Sequence, residues 1–232
     1  MNKKLNHLAC IMDGNRRWAK QRGLFAWYGH REGTEAVRTV IDFCLEKSIR
    51  YLSLYTFSLE NFKRPAVEKR YLFNYLAKQS EKELPVFIKK GVRVRFVGDR
   101  SYFPESLRAM CARIEQGTAH GDRLLLNLLF CYGGQQELVA GIKDIIKDIK
   151  AGNLSEDDVN EERINQYLWT GAIPAPDLII RTGGMQRLSN FLLYQAAYSE
   201  LCFLDCMWPE LSKEHLENAI SSFGQSKRNF GT

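Results

Sequence analysis

Two clusters of charged and small residues stand near opposite ends of the chain, and each directly follows an apolar run. Met12-Asp13-Gly14-Asn15-Arg16-Arg17-Trp18 follows Leu8 to Met12, and Arg181-Thr182-Gly183-Gly184-Met185-Gln186-Arg187-Leu188-Ser189 follows Leu178 to Ile180. A parallel sheet builds anion sites where strands stop at such clusters, at its carboxyl edge. In the first cluster Gly14 and its neighbours can turn backbone N–H groups toward an anion, while Arg16 and Arg17 supply charge. Arg17 suits bidentate contact with phosphate oxygens. Asp13 beside a phosphate is repulsive unless a cation bridges the two, and magnesium is the natural bridge. In the second cluster Arg181, Arg187 and Ser189, set around a flexible Gly183-Gly184, are the donor set for a diphosphate. Two anion sites in one domain point to an enzyme with two phosphorylated substrates.

A third polar group, Ser58-Leu59-Glu60-Asn61-Phe62-Lys63-Arg64, follows the second strand-like run. Arg64 is placed to face the same anion as Arg17. Ser58 and Asn61 either take part in chemistry or cap a short helix that ends by Pro65. His30, in Gly29-His30-Arg31, is one of only four histidines, so it is a candidate proton carrier or phosphate donor. Glu200 stands at the start of an apolar run and is a second candidate magnesium ligand. Each has a plainer alternative: an Asp-Gly turn for Asp13 and Gly14, a helix cap for Ser58, a surface carboxylate for Glu200.

The elements that must position these residues are legible from hydrophobic period. Strand-like runs occur at 8–12, 51–55, 92–97, 124–130, 178–180 and 201–206. Between them 34–47 and 139–149 repeat apolar residues with helical period, the second through Val139, Ile142, Ile145, Ile146 and Ile149. A helix starts near Arg17, and 152–162 is a loop leading into a short helix. Alternation of strand and helix from end to end predicts one α/β domain over residues 1–232, with a mostly parallel six-stranded sheet flanked by helices.

The bulk numbers exclude several classes. The formal charge of +6 is modest and its cations are dispersed or sit in the clusters, which argues against a nucleic-acid partner. No G-x-G-x-x-G or G-x-x-x-x-G-K-[S/T] occurs, so neither a dinucleotide fold nor a P-loop is supported. Six scattered cysteines without C-x-x-C spacing fit a reducing compartment, and no apolar run approaches membrane-spanning length. A cytoplasmic location is expected.

The blocks taken together identify the chain as similar to the cis-prenyltransferases, the undecaprenyl diphosphate synthase family. The resemblance runs from His7 to Gly231 and is carried by His7 to Trp18, Gly29 to Gly33, Leu54 to Pro65, Val97-Gly98-Asp99, Tyr132-Gly133-Gly134, Pro176 to Thr182, Arg187 to Leu193 and Trp208-Pro209. It implies that isopentenyl diphosphate units are added to an allylic diphosphate such as farnesyl diphosphate. The product would be a cis-polyprenyl diphosphate such as undecaprenyl diphosphate, the lipid carrier for cell-wall glycans. By the family pattern Asp13, with magnesium, aids departure of the allylic diphosphate, which is held by Gly14, Asn15, Arg16, Arg17 and Arg64 near Trp18 and Phe62. Arg181, Arg187 and Ser189 hold isopentenyl diphosphate, Glu200 helps bind Mg2+, and Asn61, His30 and Ser58 form the network that takes the proton. An apolar tunnel between sheet and helices, lined by residues such as Phe57, Phe87 and 124–130, would take the growing tail. The resemblance also implies a homodimer and a peripheral membrane contact for product release.

Five positions depart from the family pattern: Arg16 stands for a glycine and Phe62 for a tryptophan, variants that other members also carry, and three further positions matter more. Ala26 and Met185 replace an arginine and a glutamate, and Asn229 replaces the arginine of a terminal Arg-Phe-Gly. These departures sustain an alternative, a low-activity or non-catalytic subunit of a prenyltransferase complex.

Overall fold

The computed structural model describes residues 4–225. Asn229 lies outside the described residues. Six strands, β1 (His7–Ile11), β2 (Tyr51–Ser58), β3 (Val92–Val97), β4 (Leu124–Tyr132), β5 (Leu178–Arg181) and β6 (Glu200–Phe203), pair in the order β3-β4-β2-β1-β5-β6. Every pairing is parallel, so the sheet is wholly rather than mostly parallel. The helices in chain order are α1 (Asn15–Gln21), α2 (Ala26–Glu46), α3 (Ala66–Lys90), α4 (Glu105–Gly117), α5 (Gly134–Lys150), α6 (Glu161–Tyr167) and α7 (Lys213–Gln225).

The strands are continuous apolar runs because both faces of the sheet are covered. In β1 all five residues are buried, and successive side chains feed different cores: Leu8 and Cys10 join one, Ala9 and Ile11 the other. The larger core packs α2, α4 and α7 against one face, with Phe87 of α3 at its margin. The smaller is built from Ile173, Phe191 and Leu192 against the opposite face. At the carboxyl end of β2 the register with β4 slips twice, around Phe57. That irregularity turns the strand out of the sheet at Ser58, where the middle polar group begins.

The period of α5 was read correctly and its buried face was not. Gly134, Glu137, Gly141 and Ile145 face inward, while Val139, Ile142 and Ile146 are about half exposed. The buried carboxylate explains the inversion. Glu137 accepts from the Tyr132 hydroxyl, from the Thr170 N–H (2.9 Å) and hydroxyl (2.8 Å), and from Gln195 (2.9 Å). A buried acid so satisfied outweighs the transfer preference of the isoleucines, which remain as an apolar stripe on the outside.

Candidate active site

The two end clusters meet because β1 and β5 are neighbours and end together, with Ile11 opposite Arg181. Asp13 then lies between two guanidinium groups, its carboxylate 3.1 Å from Arg17 and 2.9 Å from Arg181. Arg181 is nearly buried. It also donates to Ser189 Oγ (2.8 Å) and to the carbonyl of Arg187, and Arg187 donates to Ser189 Oγ at 3.2 Å. Asp13, Arg17, Arg181, Arg187 and Ser189 therefore form one connected chain across the sheet edge, three cations held together by one carboxylate and one hydroxyl. The loop bearing Ser189 is held in unusual backbone geometry, with positive φ at Ser189, Asn190 and Leu192. Asn190 fastens it, donating to Glu60 (2.7 Å) and Gln136 (2.9 Å) while its side-chain Oδ1 accepts from the Gln135 N–H (2.8 Å).

Glycine is required at two points of this assembly. Gly14 adopts φ of 108°, and a Cβ there would lie 2.7 Å from the sulfur of Met207. Gly183, with φ of 83°, would place a Cβ 2.4 Å from the Arg17 guanidinium. Both sites are forbidden to side chains by conformation and by space.

Beside this edge Gly14, Asn15, Arg16, Arg17, Ala26, His30 and Arg64 surround an open cavity of about 630 Å³. Arg16 and Arg64 are bridged by Glu68, 3.7 Å and 3.5 Å away. Burial lowers the pKa of Arg64 from its ordinary value. A second cavity, about 370 Å³, runs inward from Asp13, Asn15, His30, Ser58, Asn61 and Arg64. Its deeper wall is apolar, with Val37, Ile41, Leu54, Phe57, Leu76, Phe87, Leu126, Leu128 and Phe130. The expected apolar lining is thus present, between sheet, α2 and α3, and it opens on the charged edge.

His30 stands where the two cavities join. Burial, reinforced by the positive charges of Arg64 and Arg16, pushes it down to about 4, so it is neutral near pH 7. Its Nε2 is buried without a partner, which leaves it open to a hydrogen bond with a bound group. Ser58 and Asn61 form a capping box on the short helix Leu59–Lys63, with the Ser58 N–H donating to Asn61 Oδ1 at 3.2 Å. Capping and cavity lining are here compatible.

Three expectations are altered by the geometry. Glu200 begins β6 opposite Leu178, while Phe203 lies opposite Arg181. Its N–H donates to the carbonyl of Asp177 at the amino edge of the sheet, so within one chain it is about 10 Å or more along the strand from Asp13. It cannot share an ion with Asp13 of the same chain. Trp18 lines neither cavity and instead lies under the Arg22 guanidinium at 4.3 Å. Phe62 likewise packs with Phe57, Phe73 and Tyr102 rather than lining the site. Asn15 lines both cavities and is also a buttress: its Nδ2 donates to the Met12 carbonyl at 3.2 Å, while its Oδ1 is buried without a partner beside Gly33. The residues missed were Glu68, Asn190 and Met207. Glu68 carried one signal, its position in the first turn of a helix four residues after Arg64.

A family model described as putative undecaprenyl diphosphate synthase matches residues 11–231. The chain belongs to this family. An isoprenyl transferase of Clostridium perfringens is 44% identical over 230 residues, covering 99% of this chain and 91% of the relative. A tritrans,polycis-undecaprenyl-diphosphate synthase (geranylgeranyl-diphosphate specific) of Pyrococcus abyssi is 43% identical, covering 97% of this chain and 86% of the relative. Among solved structures, lavandulyl diphosphate synthase from Lavandula x intermedia, in complex with dimethylallyl diphosphate, superposes with a TM-score of 0.95. It is 29% identical, and 99% of each chain is covered. A probable undecaprenyl diphosphate synthase from Campylobacter jejuni gives a TM-score of 0.84 at 34% identity over the whole of both chains. These undecaprenyl diphosphate synthase relatives are prenyl transferases, and the parallel six-stranded architecture is theirs as well.

Proposed function

We propose that the protein is a magnesium-dependent cis-prenyltransferase that condenses isopentenyl diphosphate with an allylic diphosphate primer to make a cis-polyprenyl diphosphate. The observation that carries this is the junction of an arginine-walled site with an apolar cavity at one sheet edge. An amphipathic substrate with a diphosphate head and a hydrocarbon tail matches both parts.

Arg17 and Arg64, with Arg16 at the rim, hold the allylic diphosphate, and Arg181, Arg187 and Ser189 hold that of isopentenyl diphosphate. Asp13 is the carboxylate available to magnesium. No group of three metal-ligating side chains occurs among the described residues. An ion there would take Asp13, phosphate oxygens and waters. When bound, magnesium supplies electrostatic stabilisation of the diphosphate leaving group. The fixed arginines act in the same direction, because charge on the leaving group grows as the allylic bond ionises. Holding the alkene beside the allylic carbon removes an entropic barrier worth up to ~7–11 kcal/mol in favourable cases. The apolar cavity keeps water from the developing cation. Neutral His30, with Asn61 and Ser58, accepts the proton that leaves as the new double bond forms. Ala26 opens the first cavity where an arginine would add a phosphate contact, which weakens primer affinity without removing the chemistry.

The exposed stripe of Val139, Ile142 and Ile146 on α5, with Leu201 on the edge strand β6, supports a homodimer. No helix among the described residues is long and apolar enough to cross a membrane. Contact with a membrane would then be peripheral, for product release.

The test is a product assay with magnesium, isopentenyl diphosphate and ten-, fifteen- or twenty-carbon primers, sized by mass spectrometry. A polyprenyl ladder is expected that disappears with EDTA and in Asp13→Ala. No product with any primer, from folded protein, would favour a non-catalytic subunit instead.

A further inference from the structure

The outer wall of the apolar cavity is the seam between α2 and α3, and the middle of that wall is charged. Arg38 of α2 donates to Glu83 of α3 through Nε at 3.1 Å and again through its terminal nitrogen. Gln79 Nε2 donates to the same carboxylate oxygen at 2.9 Å, and Glu35 accepts from the other side of Arg38. Glu83 is only 8% exposed, and Arg38, Gln79, Ser80 and Glu83 all line the cavity together with Val37, Ile41 and Phe87.

This placement is unusual for two reasons. The most buried side chains of α3 are Ser80, Glu83 and Phe87, so two of the three are polar. Pro85, two residues beyond Glu83, lies inside the helix and removes one of its backbone hydrogen bonds. The helix that closes the cavity is therefore locally weakened beside a nearly buried ionic contact. The two helices run together away from the charged edge: the Thr34 and Tyr75 hydroxyls meet at 2.7 Å, then Arg38 meets Glu83, then Lys90 meets Asp42. Arg38 lies two turns beyond His30, about 12 Å along the axis. Ile41 and Phe87 lie deeper still.

We propose that Arg38 and Glu83 form a latch across the α2–α3 seam that keeps the cavity wall closed and so limits the length of prenyl tail it accepts. The proposal rests on the prenyltransferase reading above and assigns the residues that set product size. A tail that grows to the depth of Arg38 meets a guanidinium and a carboxylate. Passing them requires either stripping their remaining hydration or parting the helices. With the latch intact neither is favourable and elongation stops; with it broken the seam opens sideways and the tail continues. Both residues act through the wall and not on the reacting atoms, so they are specificity-determining residues.

The test uses Glu83→Gln, Arg38→Met and the charge-exchanged double variant Arg38→Glu/Glu83→Arg. Product length is measured by mass spectrometry, and exchange of α3 backbone amides by hydrogen–deuterium exchange. Each single variant is expected to shift its main product by at least one isoprene unit to longer chains, with the first condensation unchanged. Exchange should rise across 72–87 and not in α4. The double variant should restore the parental length. Parental product length in both single variants would overturn the proposal, as would a double variant indistinguishable from the singles. Should one single variant fail to fold, the other and the double variant still decide. Should the parent make no product with any primer, the prenyltransferase reading fails. The exchange data then judge the latch separately, and unchanged α3 protection in Glu83→Gln refutes it.

Discussion

Asp13 holds together a site whose other members repel one another, and its removal has a calculable effect on stability. In Asp13→Ala the Arg17 and Arg181 guanidinium groups lose the carboxylate that bridges them at 3.1 Å and 2.9 Å. A unit charge pair near a protein surface interacts by about 4 kcal/mol at 4 Å. The Arg17 contact lies on the rim, with side chains 39% and 30% exposed, so solvent screening reduces it to at most ~1 kcal/mol. The Arg181 side chain is 5% exposed and its Nε has no partner, so this contact dominates. Losing one partner of a buried pair costs ~3–5 kcal/mol, and the partial exposure of Asp13 lowers this to about 2–3 kcal/mol. The sum, about 3 kcal/mol, corresponds to a fall in Tm of roughly 6–12 °C for a chain of this size. Asp13→Asn keeps an acceptor for Arg181 and should lose roughly half as much. The assay is thermal unfolding with and without pyrophosphate. Because the alanine variant leaves two cations without their anion, pyrophosphate should raise its Tm more than that of the parent. Equal Tm values for parent and Asp13→Ala would refute the reasoning. So would equal stabilisation of both by pyrophosphate, which would mean that Asp13 does not hold the arginines.

Other outcomes follow from the same geometry. Burial pushes both His7 and His30 down to about 4, from an unperturbed value of 6.5. The unfolded chain therefore binds protons that the folded one refuses: stability is fully present above pH 6.5 and falls as pH drops toward 4, by about 2 kcal/mol per histidine at pH 5. Urea unfolding at pH 7.5 and 5 should show this, and His7→Gln should lose less on acidification than the parent; an identical loss would clear His7. Glu68→Gln frees Arg16 and Arg64, so pyrophosphate should bind about two- to threefold more tightly by calorimetry, the effect of releasing partly exposed ion pairs. Gly33→Ala would bring a Cβ to 2.4 Å from Asn15 Oδ1 and 2.8 Å from the Trp208 ring. Chemical denaturation should report a loss of about 1–3 kcal/mol from overpacking there.

Much of the architecture was readable because a parallel sheet covered on both faces writes its strands as unbroken apolar runs. All six were visible: β3 coincides with its run, β2, β4 and β5 continue one to three residues past theirs, and β1 and β6 begin one residue earlier and stop short of theirs, β6 by three residues. The residue types of the site were visible too: Asp13, Arg17, Arg181 and Ser189 are polar groups at strand ends, where a sheet must stop. Hydrophobic period located α5 yet assigned it the wrong face, because period records where apolar residues recur and not which partner lies opposite. Only the position of Thr170 and Gln195 beside Glu137 makes an acid the inward residue.

The sequence by itself thus determined the class of chemistry, since Asp, Gly and Arg clusters at strand ends carry their charge wherever they lie. Tertiary structure decided who acts with whom. Strand order puts β1 beside β5 and so brings Asp13 to Arg181 across 168 residues of chain, while the shared register sends Glu200 to the opposite edge. It also sets Arg38 against Glu83 in the wall of an apolar cavity. Nothing local encodes such pairings, because the energy of a charge depends on the partner and the solvent around it. Both are settled only when helices and strands have found their places.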